Sequence, residues 1–265
     1  ATVAMLYALY LHRIARFRRR NELLEARVKE RTLAFERVNS ELKIKNKALE
    51  EAALTDPLTG LYNRRAVKEL VPKLFETINE RGRYRDGSVD TSPVSAIFIM
   101  DLDHFKRLND QYGHDKGDSA LFHVARALCS VVRSTDWLIR WGGEEFLLVV
   151  PAIKHNDISV FNKKLHESVE SLHELVEVPE TISMSIGAVW LPWDDCNVDL
   201  KIWEHAVIMA DWALYRAKNE GRNGTVVVDA SKEMALWSDW SVEGLLKAER
   251  KGLLKLTHHR ANSPL

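Results

Sequence analysis

Two groups of carboxylates in this sequence have the residue types and positions to act together on a charged substrate. Glu144 and Glu145 follow directly after a Gly-Gly pair, and apolar runs flank this short segment on both sides. Asp101 comes directly after a separate apolar run, Ser95 to Met100. If the two segments pair in one sheet, Asp101 and the two glutamates converge. Carboxylate oxygens without His or Cys nearby are suited to Mg²⁺ rather than to zinc.

The Gly142-Gly143 pair predicts a hairpin turn between the two apolar runs that surround the glutamates. A tight primed turn requires φ > 0 at both central residues, and glycine adopts such angles without steric cost. The flanking runs, Trp137 to Ile139 and Phe146 to Val150, supply the two strands. The pattern therefore places Glu144 and Glu145 at an exposed tip.

The composition excludes some classes of protein. The chain of 265 residues is long enough for one sizeable domain with appendages. Lys and Arg together number 38, as do Asp and Glu, so no overall charge favours nucleic acid as a partner. Two cysteines, Cys129 and Cys196, do not make a disulfide framework. We expect Cys129 to be a buried free thiol in a reducing, cytosolic compartment.

The first twenty residues combine an apolar end with a basic cluster. Residues 1–11 are apolar, and five arginines lie within residues 13–20. Eleven residues are too few for a membrane span, which needs roughly 20, but this order is typical of the cytoplasmic exit of a transmembrane helix. We expect the end of a transmembrane helix at residues 1–11, followed by the cytoplasmic domain of an inner-membrane protein. A solvated end of an amphipathic helix is the alternative.

A heptad pattern runs from Tyr7 to Ala52 without Gly or Pro. Eleven of its fourteen core positions are apolar, which is typical of a coiled coil. Asn21 falls at an a-type position, where a buried amide favours a parallel dimer in register. We therefore expect residues 12–53 to be a basic juxtamembrane segment and a parallel coiled coil. A single long helix that packs on another domain is the alternative.

Apolar runs and amphipathic stretches alternate after Pro57, and this alternation predicts an α/β domain over residues 54–229. Ala96 to Met100 is apolar on both faces, which favours a central strand. Residues 230–265 predict a C-terminal helical tail of unknown role, which covers the surface of the domain or binds a partner.

Several motifs together resemble the GGDEF family of diguanylate cyclases, in its GGEEF form. The signature is Arg140-Trp141-Gly142-Gly143-Glu144-Glu145-Phe146. The other motifs are Asp56-Pro57-Leu58-Thr59-Gly60-Leu61-Tyr62-Asn63-Arg64, the Asp-x-Asp-x-Phe-Lys-x-x-Asn-Asp stretch at 101–110, His-x-x-Gly-Asp at 114–118, and the closing motif at 210–223. The resemblance implies an α/β sandwich with a palm-like fold of the nucleotide-cyclase type. Its central sheet would be mostly antiparallel and flanked by helices, with a long coiled-coil helix before it.

The resemblance also implies an activity. Two GTP molecules are condensed into cyclic di-GMP, with release of two pyrophosphates, across a homodimer. Two metal ions, Mg²⁺ or Mn²⁺, assist, and the implied ligands are Asp101, the carbonyl of Leu102, Glu144 and Glu145. The two glutamates are also the implied catalytic groups. The resemblance points to Glu144 as the group that assists deprotonation, and the residues alone leave open which glutamate does so.

The implied substrate-binding residues fall into two sets. Asn109 and Asp118 match positions that read the guanine edge, and a carboxylate is suited to accept from guanine N1–H and N2–H₂. His114 shapes the same pocket or only stabilises a turn. The remaining residues that the resemblance assigns to GTP are Phe105, Lys106, Lys218 and Arg222.

An Arg-x-x-Asp stretch, Arg133 to Asp136, lies shortly before the signature. Its separation from Gly142 resembles that of the family's product-inhibition site for cyclic di-GMP. The alternative is an ion pair at the surface, which contributes little to stability.

Two other classes of function stay open from the sequence. One is an inactive GGDEF module that binds GTP or cyclic di-GMP as a signalling receptor. The other is a purely structural dimerisation protein, which leaves the cluster of polar residues at the strand end unexplained. For an active enzyme we expect an upstream sensor domain that acts through the coiled coil.

Overall fold

The computed structural model describes residues 2–82, 94–191 and 199–261. Two units divide at Ala53 and Leu54 and are considered separately. Cys196 lies outside the described residues.

The first unit is a single long helix, α1, over Thr2–Leu54. Its termination at Leu54 agrees with Pro57 nearby, because proline disfavours helix at the residue before it. Apolar side chains at the predicted core positions are exposed to solvent, with 69% exposure at Phe35 and 63% at Val28. The side chain of Asn21 lies outside the described residues. The described side chains of α1 therefore include an exposed apolar stripe.

The expected localisation, as the cytoplasmic domain of an inner-membrane protein, is wrong for the part of the chain that the structure describes. Over the ranges that the structure describes, no helix is both long enough and apolar enough to cross a bilayer. Within the described part of α1, five arginines at positions 13–20 interrupt the apolar residues, so no stretch of roughly 20 apolar residues forms there.

The second unit is built on a seven-stranded sheet with the order β1-β3-β4-β2-β5-β6-β7. The pairs β1/β3 and β5/β6 are parallel, and the other four neighbouring pairs are antiparallel. The expected mostly antiparallel α/β sheet is confirmed. The strands are β1 Tyr62–Asn63, β2 Val94–Leu102, β3 Trp137–Gly142, β4 Glu145–Ile153, β5 Met184–Leu191, β6 Gly224–Ala230 and β7 Leu254–Arg260.

Helices cover both faces of this sheet. They are α2 Val67–Gly82, α3 Phe105–Tyr112, α4 His114–Val131, α5 Ile158–Glu170, α6 Leu172–Val176, α7 Leu200–Asn219 and α8 Val242–Arg250. Three short 3₁₀ helices span Arg64–Ala66, His155–Asp157 and Lys232–Leu236. Asn63 caps the first of them by accepting a hydrogen bond from Arg65 N at 2.9 Å.

The central strand β2 is buried along its whole length, as its uninterrupted apolar sequence predicts. Its alternate side chains enter two hydrophobic cores, one on each side of the sheet. Phe98 and Met100 pack with residues of α4 and α5, whereas Ile97 and Ile99 pack with residues of α2 and α7. The carboxyl end of β2 is thereby held rigidly between two layers of helix.

Two expectations about local structure are wrong. The predicted helical tail is helical only in part, since Leu254–Arg260 form strand β7 along the edge of β6. Strand β7 pairs with the backbone N–H and C=O groups at the edge of β6, which would otherwise be unpaired. The helix propensity of the tail residues gives no information about this edge. Cys129 is exposed rather than buried, because it lies beside the apolar stripe of α4 rather than within it.

Candidate active site

The register of the sheet brings Asp101 and the signature glutamates together. Asp101 lies directly opposite Glu145 where β2 pairs with β4. The main-chain N–H of Leu102 points to the carbonyl oxygen of Glu144, at 3.4 Å. The carboxylates that the sequence separates by more than forty residues thus meet at one edge of the sheet.

The signature hairpin forms as predicted, but its turn differs from the predicted type. Neither Gly142 nor Gly143 has a positive φ, so the turn is not the primed type that needs φ > 0 at both positions. A side chain holds the turn instead. Arg140 donates from Nε and Nη2 to the carbonyl of Gly143, at 3.2 and 3.0 Å.

The same arginine ties the hairpin to the first loop of the domain. Arg140 Nη1 lies 3.0 Å from Asp56 Oδ1, and both side chains are mostly buried. Burial by itself raises the pKa of Asp56, but hydrogen bonds from Thr59 together with the Arg140 guanidinium hold that pKa below its usual value. Arg64 adds a second tie, with its guanidinium 4.3 Å from the ring centre of Trp141. The segment directly after α1 is therefore fixed to the signature hairpin.

Asp101 is buried at the strand end, and Glu144 and Glu145 beside it are half-buried. Asp101 is 6% exposed, and Lys218 Nζ lies 2.8 Å from its Oδ2. Burial raises the pKa of Asp101, Lys218 opposes that rise, and Asp103 adds to it. Burial also raises the pKa of Glu145, and the charges of Asp101 and Asp211 raise it further. The site concentrates negative charge where water screens it poorly.

Two of the three basic residues predicted to hold the triphosphate, Lys218 and Arg222, lie on either side of one turn, whereas Lys106 is exposed on α3. Lys218 is in the last turn of α7, and Arg222 follows it in the left-handed region at φ 64°. Asn223 also has a positive φ, and its N–H donates to Asp103 Oδ2 at 3.0 Å. Asp103 is held in turn by Ser183 and Ser185, whose hydroxyls donate to it at 2.8 and 2.6 Å. This network fixes the turn next to Asp101.

The predicted guanine readers lie on the neighbouring helices α3 and α4. Asn109 Oδ1 is shielded from water and accepts no hydrogen bond from the residues that the structure describes. Gly117 makes room for it, because a Cβ atom at that position would overlap Asn109 Oδ1. The structure places Phe105 in the core beside them and leaves His114, Asp118 and Lys106 exposed. A buried acceptor without a donor is suited to receive an N–H group from a ligand.

Arg133 and Asp136 form a closed turn at the end of α4. Asp136 accepts a hydrogen bond from the main-chain N–H of Arg133 at 2.8 Å. Arg133 also lines a cavity of about 440 Å³ together with Lys154, Lys164 and Phe161. Asp157 also lines this cavity, so three cationic side chains and one carboxylate leave a net positive lining that suits an anionic ligand.

Comparison with known families identifies the domain. The family model "Diguanylate cyclase, GGDEF domain" matches residues 53–224, which is more than half of the chain. The chain belongs to the GGDEF family. The resemblance seen in the motifs is therefore confirmed.

Curated relatives carry the same domain within longer chains. The bifunctional diguanylate cyclase/cyclic di-GMP phosphodiesterase MucR of Pseudomonas aeruginosa is 32% identical over 79% of this chain and 28% of its own length. The probable diguanylate cyclase DgcC of Escherichia coli is 32% identical over 68% of this chain and 44% of its own length. The chain thus spans less than half the length of these relatives.

Two solved structures are similar in fold. One is the coiled coil and GGDEF domain of DgcB from Caulobacter crescentus in complex with c-di-GMP, with 26% identity and a TM-score of 0.57 over 77% of this chain and 98% of that one. The other is diguanylate cyclase SiaD in complex with its activator SiaC from Pseudomonas aeruginosa, with 30% identity and a TM-score of 0.52 over 84% of this chain and 86% of that one.

The GGDEF family implies a divalent metal, and the donors at the strand end fit one. Within the described ranges, no three His, Cys, Asp or Glu side chains form a cluster that could hold a metal by side chains alone. Asp101 and the glutamates offer oxygen atoms, which hard cations prefer. Burial and mutual repulsion disfavour the ionised forms of Asp101 and Glu145, and a bound cation relieves both effects. A site of two carboxylates completed by a main-chain carbonyl is consistent with this geometry.

Sequence reasoning missed three residues that organise the site. Asp103 and Asp211 shape its charge, and Arg140 holds its hairpin. The Asp-Leu-Asp spacing was a signal, because it puts Asp103 in the turn directly after the strand that carries Asp101. The pairing of Arg140 with Asp56, 84 residues apart, left no signal in the pattern of either segment.

Proposed function

We propose that this GGDEF domain is a diguanylate cyclase. In each half-reaction the 3′-hydroxyl of one GTP attacks the α-phosphorus of the other. The new P–O bond forms as the bond to the β-phosphate breaks, and pyrophosphate leaves while the hydroxyl proton passes to a base. Two such steps close the ring of cyclic di-GMP.

One observation carries this proposal. The register of β2 and β4 places Asp101 opposite Glu145. Lys218 from α7 reaches the carboxylate of Asp101. A site that combines buried carboxylates with a basic turn has the charges needed to neutralise a triphosphate and to hold it in line for attack.

The carboxylates would hold the metal. Asp101, the carbonyl of Leu102 and Glu144 are the ligands we assign to the first Mg²⁺ or Mn²⁺, with Glu145 at the second. When bound, the metal lowers the pKa of the attacking hydroxyl and offsets charge on the phosphates. Glu144 is our choice for the group that receives the proton, since Glu145 is fixed within the β2/β4 ladder.

The other residues bind and orient GTP. Lys218 and Arg222 hold the triphosphate, and Lys106 adds charge at the surface of α3. Asn109 and Asp118 bind the guanine edge, while Phe105 and His114 shape the pocket around it. The shielded oxygen of Asn109 supports this assignment, because a guanine N–H supplies the donor that it lacks.

A dimer completes the reaction, because each domain binds one GTP. The exposed apolar stripe of α1 supports a parallel coiled coil, which raises the local concentration of the second half-site into the mM range. Replacing Phe35 with Lys should convert the dimer into a monomer in sedimentation experiments and make the rate per subunit rise with protein concentration. A dimer that survives this change rules out the coiled-coil seam as the interface. An upstream sensor domain would act through the same helix.

Arg133 and Asp136 would form a feedback site for cyclic di-GMP. The basic cavity that Arg133 lines supports a site for its phosphates. In the Arg133→Ala variant, added product should no longer inhibit the initial rate, whereas the Arg126→Ala control on the exposed side of α4 should keep the parent's inhibition. Unchanged inhibition in Arg133→Ala excludes this site.

The proposed activity is tested by incubating the chain with GTP and Mg²⁺, or Mn²⁺, and separating the nucleotides by chromatography. The parent and a Glu174→Ala control should make cyclic di-GMP, and Glu144→Ala should lose at least about 100-fold in rate. A dimeric parent that binds GTP without forming product is instead an inactive GGDEF module that acts as a nucleotide receptor.

A further inference from the structure

The C-terminal part of the chain completes the sheet beside the phosphate-holding turn. The family match ends at residue 224, and β7 pairs with β6 from Gly224 opposite Arg260 to Ala230 opposite Leu254. Helix α8 buries Leu245 and Ala248 in the same core that α7 enters. Residues 232–261 are therefore an integral layer of the domain rather than a loose tail.

The turn after α7 has a backbone that needs outside support. Gly221, Arg222 and Asn223 have φ values of 116°, 64° and 43°. Glycine adopts such angles freely and asparagine does so more readily than most residues, whereas Arg222 persists there only where surrounding contacts hold it. The angles set the direction in which Arg222 leaves the turn.

The peptide groups of Asn223 are held from both sides. On one side the N–H of Asn223 donates to Asp103 Oδ2 at 3.0 Å. On the other side its carbonyl accepts from the N–H of Ala261 at 3.3 Å, directly after β7. The close approach of β7 also leaves little room at Gly224, where a Cβ atom would lie 3.1 Å from the carbonyl oxygen of His259.

A chain of polar side-chain contacts fixes the helix end that carries Lys218. His258 Nδ1 on β7 lies 2.7 Å from Glu220 Oε2. Glu220 also contacts Arg216 Nε at 3.3 Å, and Arg216 Nη1 lies 2.9 Å from Glu249 Oε2 on α8. Side chains of both β7 and α8 thus contact the last turn of α7.

We infer that residues 232–261 are a positioning element for the triphosphate, which set the placement of Lys218 and Arg222. This inference rests on the proposed GTP site. The inference predicts different effects at the two ends of that site. Asn109 and Asp118 lie on α3 and α4, on the other face of the sheet from α7 and α8. Loss of the contacts from β7 and α8 therefore weakens binding of the β- and γ-phosphates and leaves guanine binding intact.

The test compares two ligands on two variants. Ala261→Pro removes the N–H that binds Asn223, and it suits an extended residue before it. His258→Ala breaks the contact with Glu220 at a half-exposed side chain. Lys255→Ala, at the opposite end of β7, is the matched control. Dissociation constants are measured by calorimetry for GMP and for the α,β-methylene analogue of GTP with Mg²⁺, and each variant is melted to check its fold.

Both variants should bind the triphosphate analogue about 10-fold more weakly, bind GMP within about twofold of the parent, and leave the control unchanged. Equal weakening of both ligands, or no weakening in variants that melt like the parent, overturns the inference. A parent that binds both ligands but makes no cyclic di-GMP defeats only the proposed catalysis, whereas a parent that binds neither defeats both proposals.

Discussion

The guanine end and the phosphate end of the proposed site are built in different ways. The guanine end uses two helices that follow one another in the chain, and Asn109 and Gly117 lie within a few residues of each other. The phosphate end joins β2, β4 and the turn after α7, so that Asp101, Glu145 and Lys218 come from three distant segments. One end depends on local helix packing, and the other depends on the register of the whole sheet.

This difference has an electrostatic counterpart. Asp118 is exposed, so water screens its charge at the guanine end. Asp101 is buried among other carboxylates, which raises its pKa and makes its charge costly without a cation. The phosphate end of the proposed site is therefore suited to a cation, whereas the guanine end offers hydrogen-bonding groups.

The largest expected effect comes from removing charge at the phosphate end. Asp101→Asn should lower the rate of cyclic di-GMP formation by at least about 100-fold, because it removes a metal ligand. The free energy of unfolding, measured with urea at pH 7, should not fall, since burial already disfavours the ionised carboxyl. Asp229→Asn, at an exposed position on β6, is the control. A variant with more than a tenth of the parent's activity shows that Asp101 is not a ligand.

A smaller effect should appear in the dependence of stability on pH. Burial lowers the pKa of His166 to about 4 from its ordinary 6.5, and its Nε2 lies 3.0 Å from Thr225 Oγ1, next to the phosphate turn. Below pH 6.5 the imidazole of His166 is protonated in the unfolded chain, whereas in the folded chain it stays neutral until about pH 4. The free energy of unfolding is therefore highest above pH 6.5 and falls as the pH drops. Between pH 7 and 5 the loss should be about 2 kcal/mol.

His166→Gln isolates this contribution, because every other titrating group is retained. Urea unfolding of the parent and the variant at both pH values measures the difference between their losses. The variant should lose about 2 kcal/mol less than the parent. If both proteins lose the same amount, His166 is not held neutral by the fold.

The smallest effect is expected at the guanine end, where Gly117→Ala pushes the Asn109 side chain out of place. GMP should bind about 10-fold more weakly, as expected for one lost hydrogen bond, while helix propensity gains roughly 1 kcal/mol of stability. Gly187→Ala provides the contrast, because its Cβ would overlap the backbone of Ala210 and Leu214 in α7. That variant should lose at least about 2 kcal/mol. Unaltered GMP affinity in Gly117→Ala removes Asn109 from the guanine site.

The sequence predictions that succeeded rest on local patterns of neighbouring residues in the chain. The uninterrupted apolar run of β2 predicts a central strand, because both faces of such a strand are buried. The same kind of reasoning failed at Gly142 and Gly143, where the arginine at position 140 stabilises the turn without positive φ. It failed again at Leu254, where the open edge of β6 decides for strand over helix.

The sequence by itself determined the chemistry that the site offers and the family to which the chain belongs, because residue types and short spacings specify oxygen donors, cations and local elements. Only the tertiary structure decided that Asp101 faces Glu145, that Lys218 reaches Asp101, and that Ala261 holds Asn223. The physical reason is that strand order and register fix contacts between distant segments. These depend on how all the elements bury their apolar faces together, which no single segment encodes.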